Sequence, residues 1–139
     1  MKNEFREDKS VSQDMQKRTG TLLFADDDPD IRAVIKEILG ISGYTVIEAI
    51  DGEDGIKKFM KYQDKIGLLV LDVVMPRKNG REAYEEIRKI KSDIKVIFIS
   101  GCTRDMALDN WVYNGAVDFL SKPFLPGELL QKIREVLNK

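Results

Sequence analysis

From Thr21 onward the chain alternates short apolar runs with longer segments of helical periodicity, and this alternation constrains the fold more than any other feature. The runs are TLLFA (Thr21 to Ala25), TVIEA (Thr45 to Ala49), LLVL (Leu68 to Leu71), KVIFIS (Lys95 to Ser100) and DFLS (Asp118 to Ser121). Such runs, alternating with helical segments, read as the strands of a parallel sheet covered on both faces. TVIEA is the least apolar and suits an edge. Between the runs, Ile31, Val34, Ile35, Ile38 and Leu39 follow the i, i+3, i+4, i+7, i+8 stripe of an amphipathic helix that Asp28 caps and Pro29 opens. Another helix starts at Asn79, where the Asn79 cap and Glu82 resemble a capping box and Ala83, Ile87 and Ile90 supply the buried side. Pro126 opens the last helix, with Leu129, Leu130, Ile133, Val136 and Leu137 facing inward. Weaker patterns predict helices over Gly52 to Tyr62 (Ile56, Phe59, Met60) and Thr103 to Asn114 (Ala107, Trp111, Val112). Five βα units with right-handed crossovers make a doubly wound α/β sheet, and such sheets place their sites at the carboxyl ends of the strands.

Composition removes whole classes of function. A chain of 139 residues with 42% hydrophobic content buries one sizeable core, so the expected organisation is a single domain over 21–139 preceded by a polar linker or frayed helix over 1–20. Its 23 basic and 24 acidic side chains nearly cancel, and no global field favours nucleic acid or an anionic membrane. The opening stretch lacks the apolar core of a signal peptide, and no run approaches the roughly 18 apolar residues of a membrane span. A soluble, cytoplasmic domain without direct membrane contact is expected. Cys102 stands alone, which excludes an internal disulfide and a cysteine-based zinc site, and reads as an ordinary thiol. Histidine is absent, so Ser-His-Asp and Cys-His catalysis, histidine metal sites and phosphohistidine chemistry on the chain itself are excluded.

The strand ends are where the remaining chemistry gathers. The first strand runs into Asp26, Asp27 and Asp28, the third ends at Asp72, the fourth at Ser100, and the fifth is followed by Lys122-Pro123. Singly, each has a bland reading, since aspartate is common in turns and lysine on surfaces. Jointly, carboxylates converging on one rim repel one another and raise their own pKa values unless a cation sits among them. Oxygen ligands without histidine or cysteine favour a hard cation, and a small site with few protein ligands favours Mg²⁺ over Ca²⁺. A carboxylate at such a site is suited to attack phosphorus, and Asp72 is the candidate nucleophile. Lys122 would pair with one phosphoryl oxygen and the Ser100 hydroxyl with another.

The strings FADDDPDIR, LLVLDVVMPRKNG, VIFISG and DFLSKPF, in this order and at these separations, resemble the signature segments of response-regulator receiver domains of two-component signalling. The resemblance covers Thr21 to Lys139. It implies a flavodoxin-like (βα)5 parallel sheet with strand order 2-1-3-4-5 and a Mg²⁺-dependent phosphorylation switch. Asp72 then corresponds to the phosphoacceptor, Asp27 to a direct Mg²⁺ ligand and Asp26 to a ligand acting through metal-bound water. The backbone carbonyl of Val74 completes the protein's share of the metal shell. Ser100 corresponds to the switch hydroxyl, Lys122 to the phosphoryl-oxygen partner before a proline that is often cis, and Phe119 to the aromatic gate that turns inward when the hydroxyl moves. Asp28 keeps its helix-capping role. Val74 and Cys102, two residues beyond acceptor and hydroxyl, flank the phosphoryl group; an apolar Val74 cannot orient an attacking water, so slow self-hydrolysis is expected.

The same resemblance implies the partners. A sensor histidine kinase or phosphotransfer domain supplies the phosphoryl group, and the domain catalyses its own phosphorylation and slow dephosphorylation rather than acting on a separate substrate. The readout face is the fourth helix, fifth strand and fifth helix, which serves a downstream effector, the parent kinase's own core or a homodimer. Two other functions compete. An aspartate-nucleophile phosphohydrolase also places Asp72 after an apolar strand beside Mg²⁺, but it expects a second aspartate where Val74 stands and a cap domain for which the chain has no room. A scaffold with a degenerate pocket would not retain acceptor, acidic pair, hydroxyl and lysine together. The phrasing of the segments from Val73 and from Ser121 resembles receivers of hybrid sensor histidine kinases, whose parent protein would be membrane-anchored, with a stand-alone regulator as the alternative.

Overall fold

All five apolar runs are strands: β1 (Thr21–Ala25), β2 (Thr45–Ala49), β3 (Ile66–Asp72), β4 (Lys95–Ser100) and β5 (Asp118–Ser121). They pair in parallel in the order β2-β1-β3-β4-β5, the order that the resemblance implied, with TVIEA at one edge. The structure is a computed structural model that describes residues 20–101 and 117–139. The expected linker up to residue 19 and the expected helix Thr103 to Asn114, with Cys102 and Trp111, lie outside the described residues. β3 is longer than the LLVL run at both ends, with Ile66 opposite Thr21 of β1 and Asp72 opposite Ile99 of β4. That extension places Asp72 inside the sheet's last rung.

Among the described residues, four helices cover the sheet: α1 (Pro29–Ile41), α2 (Gly52–Tyr62), α3 (Gly80–Ile90) and α4 (Pro126–Leu137). Local chemistry starts each one. Asp28 caps α1 by accepting from the N–H groups of Asp30 and Ile31, with Pro29 at the first turn. Asn79 and Glu82 form the expected reciprocal capping box at α3. Leu125, before α4, has no side-chain oxygen to offer, and Glu128 instead accepts the Leu125 N–H at 2.8 Å.

Alternation along each central strand sends side chains into two apolar layers. Leu23, Leu69, Leu71 and Phe98 pack with Phe59 of α2 and with Ala83, Tyr84 and Ile87 of α3. Leu22, Phe24, Val70 and Ile97 pack with Ile35 and Leu39 of α1 and with Leu129, Ile133 and Val136 of α4. Three expected core residues fall outside these layers. Val34, Met60 and Ile90 are more than 40% exposed, because a helix resting on a sheet buries a narrower stripe than its apolar residues span. Tyr84 of α3 is buried as well, meeting Phe98 edge-to-face at 5.6 Å between ring centroids.

Gly80 is fixed by close approach: a Cβ there would lie 2.4 Å from the Asp72 carbonyl oxygen, whereas one on Gly67 meets nothing within 4 Å. Gly80→Ala is therefore expected to destabilise the domain by about 2 kcal/mol or more, while Gly67→Ala stays within about 1 kcal/mol of the parent. Urea unfolding of the two variants checks this, and equal midpoints would contradict it.

Candidate functional site

Parallel register brings the ends of β1, β3, β4 and β5 to one level, since Ala25 lies opposite Leu71, Asp72 opposite Ile99 and Ser100 opposite Ser121. The residues just past those ends form a rim. Asp26 follows β1 and stays tied to the sheet by its N–H on the Ala49 carbonyl at 3.1 Å. Its carboxylate is buried, with Oδ1 taking the Asp28 N–H at 2.9 Å. Arg32 of α1 holds the Asp26 carbonyl at 2.7 Å and lies 3.6 Å from Glu48, which fixes the turn from below. Asp27 is exposed, and Asp28 is spent on capping, as expected.

Asp72 sits at the centre of this rim. Its Oδ1 accepts the Val74 N–H at 3.3 Å and its Oδ2 accepts from Lys122 Nζ at 3.0 Å. The same ammonium reaches Asp26 Oδ2 at 3.3 Å. Carboxylate oxygens of Asp26, Asp27 and Asp72 lie within 4.8 Å of one another, the arrangement anticipated from the strand ends. Lys122 arrives from β5 through its N–H on the Ser100 carbonyl at 2.8 Å, and the Lys122-Pro123 peptide is cis. Ser100 is buried at the end of β4, Phe119 is half-buried against the layer of α2 and α3, and the Val74 side chain is exposed. Beside Lys122, a cleft of about 540 Å³ opens between α1 and the β5–α4 loop, lined by Ile31, Val34, Ile35, Pro123 and Phe124.

The electrostatics follow from burial and crowding. Desolvation pushes the Asp72 carboxyl up and the Asp26 charge adds to this, against the Lys122 and Val74 donors; the net direction is upward. Desolvation works to lower the Lys122 pKa, but its bond to Asp72 and the charges of Asp72 and Asp26 prevail and raise it. One contact thus favours the charged lysine without sufficing for the aspartate, which carries the burial and a second carboxylate as well. Three clustered carboxylates, two of them bonded to the Lys122 ammonium, suit a hard divalent cation, and the all-oxygen donor set fits Mg²⁺.

Residues 73–79 connect this rim to α3, and here sequence reasoning missed a pair. Asp51, buried at the start of α2, accepts from Arg77 Nε, and the Gly52 N–H donates to the Lys78 carbonyl at 2.9 Å. The available signal was an Asp-Gly step before an apolar-periodic segment, which marks a helix cap and nothing about its partner.

Comparison with known proteins gives the family. Residues 22–134 match the family model described as the response regulator receiver domain, and the chain belongs to that family of two-component proteins. The transcriptional regulatory protein CpxR of Escherichia coli K12 is 35% identical over 119 residues, covering 85% of this chain and 49% of CpxR. The chain spans about half the length of the curated relatives it matches. Among solved structures, the response regulator TrrA of Thermotoga maritima in complex with Mg²⁺ and BeF is 32% identical with a TM-score of 0.72, covering 84% of this chain and 98% of TrrA. The receiver domain of the hybrid histidine kinase CckA is 31% identical with a TM-score of 0.72, covering 85% and 99% of the two chains.

A raised Asp72 pKa means that the ionised carboxylate opposes folding. That opposition is absent below the ordinary aspartate pKa and develops as pH rises through the raised value. In metal-free buffer Asp72→Asn is expected to melt higher than the parent at about pH 7, with the gain fading toward about pH 3. Melts across that range check the sign, and a variant less stable than the parent at neutral pH contradicts it.

Proposed function

We propose that this domain is a phosphorylation switch: Asp72 takes a phosphoryl group from the phosphohistidine of a sensor histidine kinase or a phosphotransfer domain. The observation that supports the reading is the clustering of the Asp26, Asp27 and Asp72 carboxylates, with the Lys122 ammonium bonded to Asp26 and Asp72. In the transfer, an Asp72 carboxylate oxygen bonds to phosphorus as the phosphorus–nitrogen bond of the donor breaks. Asp27, Asp26 through water, Asp72 and the Val74 carbonyl would hold Mg²⁺, which neutralises phosphoryl oxygens. Lys122 supplies a point charge for one oxygen, and the Ser100 hydroxyl would serve another. The neighbouring cleft adjoins Lys122 and is apolar, which suits the surface of a donor protein delivering the group.

Ordering of Ser100 toward the phosphoryl group then lets Phe119 move inward and changes the face made by β5 and α4, a population shift between two packings. That face would signal to an effector, to the core of a parent kinase or to a second copy. Val74 argues against a hydrolase, because an apolar, exposed side chain stands where an acid–base aspartate would be needed. The same side chain leaves a water without an orienting partner, which supports a long-lived phosphoaspartate.

Incubation of the chain with a small phosphodonor and Mg²⁺ is expected to add a single phosphoryl group by intact mass, an adduct that does not form when the metal is chelated beforehand or in Asp72→Asn. Donor turnover without an adduct would favour the hydrolase, and neither adduct nor turnover the scaffold. Val74→Asn is expected to lose the phosphoryl group several-fold faster than the parent, followed by the same mass measurement over time; an unchanged lifetime would remove Val74 as its cause.

A further inference from the structure

The loop 73–79 carries Val74, whose N–H reaches Asp72 Oδ1, and it is held at both ends. Val73 N–H bonds the Ile99 carbonyl at 2.9 Å, and Gly80 N–H bonds the Val73 carbonyl at 3.0 Å. Its middle is held differently, by the start of α2. Arg77 sits at φ +66°, and the Lys78 N–H closes back on the Pro76 carbonyl at 2.8 Å. A three-residue turn with a left-handed centre is rare for a residue with a side chain, and it persists where the surroundings over-determine it.

Those surroundings are on α2. Arg77 Nε donates to Asp51 Oδ2 at 2.5 Å, while Asp51 Oδ1 takes the Asp54 N–H at 2.7 Å. Burial alone would raise the Asp51 carboxyl, but the Asp54 N–H and the Arg77 guanidinium hold it below the usual carboxylate range, so it stays an ionised partner. Gly52 donates to the Lys78 carbonyl, and a Cβ on Gly52 would lie 2.1 Å from that oxygen. Only glycine lets the loop lie against the helix there.

We infer that Asp51, Gly52 and Arg77 form a clamp that fixes the 73–79 loop and so sets the Val74 peptide unit for the divalent cation, with Arg77 as a positioning residue for the metal site. The inference rests on the proposed reading of Asp26, Asp27, Asp72 and the Val74 carbonyl as that site. Coulomb's law alone gives the opposite expectation for one variant: removing the Arg77 cation from the neighbourhood should tighten Mg²⁺ binding. The clamp requires it to weaken.

Calorimetric titration of the whole chain with Mg²⁺ separates the two. Arg77→Ala is expected to weaken Mg²⁺ binding about tenfold, the scale on which groups behind direct metal ligands act. Arg77→Lys recovers part of this loss. Arg77→Gly, which reaches the turn's φ without strain and loses only the ion pair, falls between Arg77→Ala and the parent. Adding Asp51→Asn to Arg77→Ala changes affinity little further, because the two residues act as one unit. Should Arg77→Ala fail to fold, Arg77→Gly carries the test. Mg²⁺ binding that is unchanged or tighter in the folded Arg77 variants, while the parent binds Mg²⁺, overturns the clamp and leaves the metal site standing. A parent chain that binds no Mg²⁺ overturns the cation site, and the clamp with it.

Discussion

Crowding of like charge at one edge of the sheet is the constraint on which the rest of this site depends. Asp26 and Asp72 are buried, Asp27 stands beside them, and the Lys122 ammonium bridges the two buried carboxylates at 3.0 and 3.3 Å. Arg32 is close by, but it binds the Asp26 backbone and approaches Glu48, so it steadies the turn without pairing with a rim carboxylate. Buried carboxylates left short of positive charge are costly, and folded chains keep them where a ligand restores the balance. The upward direction of the Asp72 pKa records the same imbalance.

The fold meets this cost because parallel pairing leaves it no choice about where the strands end. With Asp72 opposite Ile99 and Ser100 opposite Ser121, residues far apart in sequence reach a common level on backbone hydrogen bonds alone. The apolar layers on the two faces, one under α2 and α3 and the other under α1 and α4, hold the sheet rigidly enough for side chains at the rim to keep their spacing.

Much of this was legible in the chain itself, for identifiable reasons. Consecutive apolar positions marked the strands, Asp28-Pro29 and Asn79 with Glu82 marked helix starts, and four motifs in order located the rim residues; each is a local or ordered signal. What escaped depended on tertiary approach. Val34, Met60 and Ile90 share a helical stripe with buried neighbours, and only the footprint of each helix on the sheet decides which of them is covered. The Asp51–Arg77 pair spans two loops and requires a left-handed arginine, a local choice that propensity disfavours and that its partner on α2 offsets.

On the proposed reading, the geometry also explains how a change at one oxygen reaches a surface. Lys122 is bonded through its backbone to the Ser100 carbonyl and through its ammonium to Asp72, so the ends of β3, β4 and β5 share one residue. Phe119 lies three residues before Lys122 on β5, opposite Phe98 of β4. A phosphoryl group on Asp72 offers Lys122 and Ser100 new oxygens in place of a buried carboxylate, and both residues bear on the strands that carry the aromatic pair. Because those strands are tightly packed, the proposed response would be a choice between two arrangements of Phe119 and not a graded deformation. Phe119 is half-buried against the layer of α2 and α3, the position from which that choice would start.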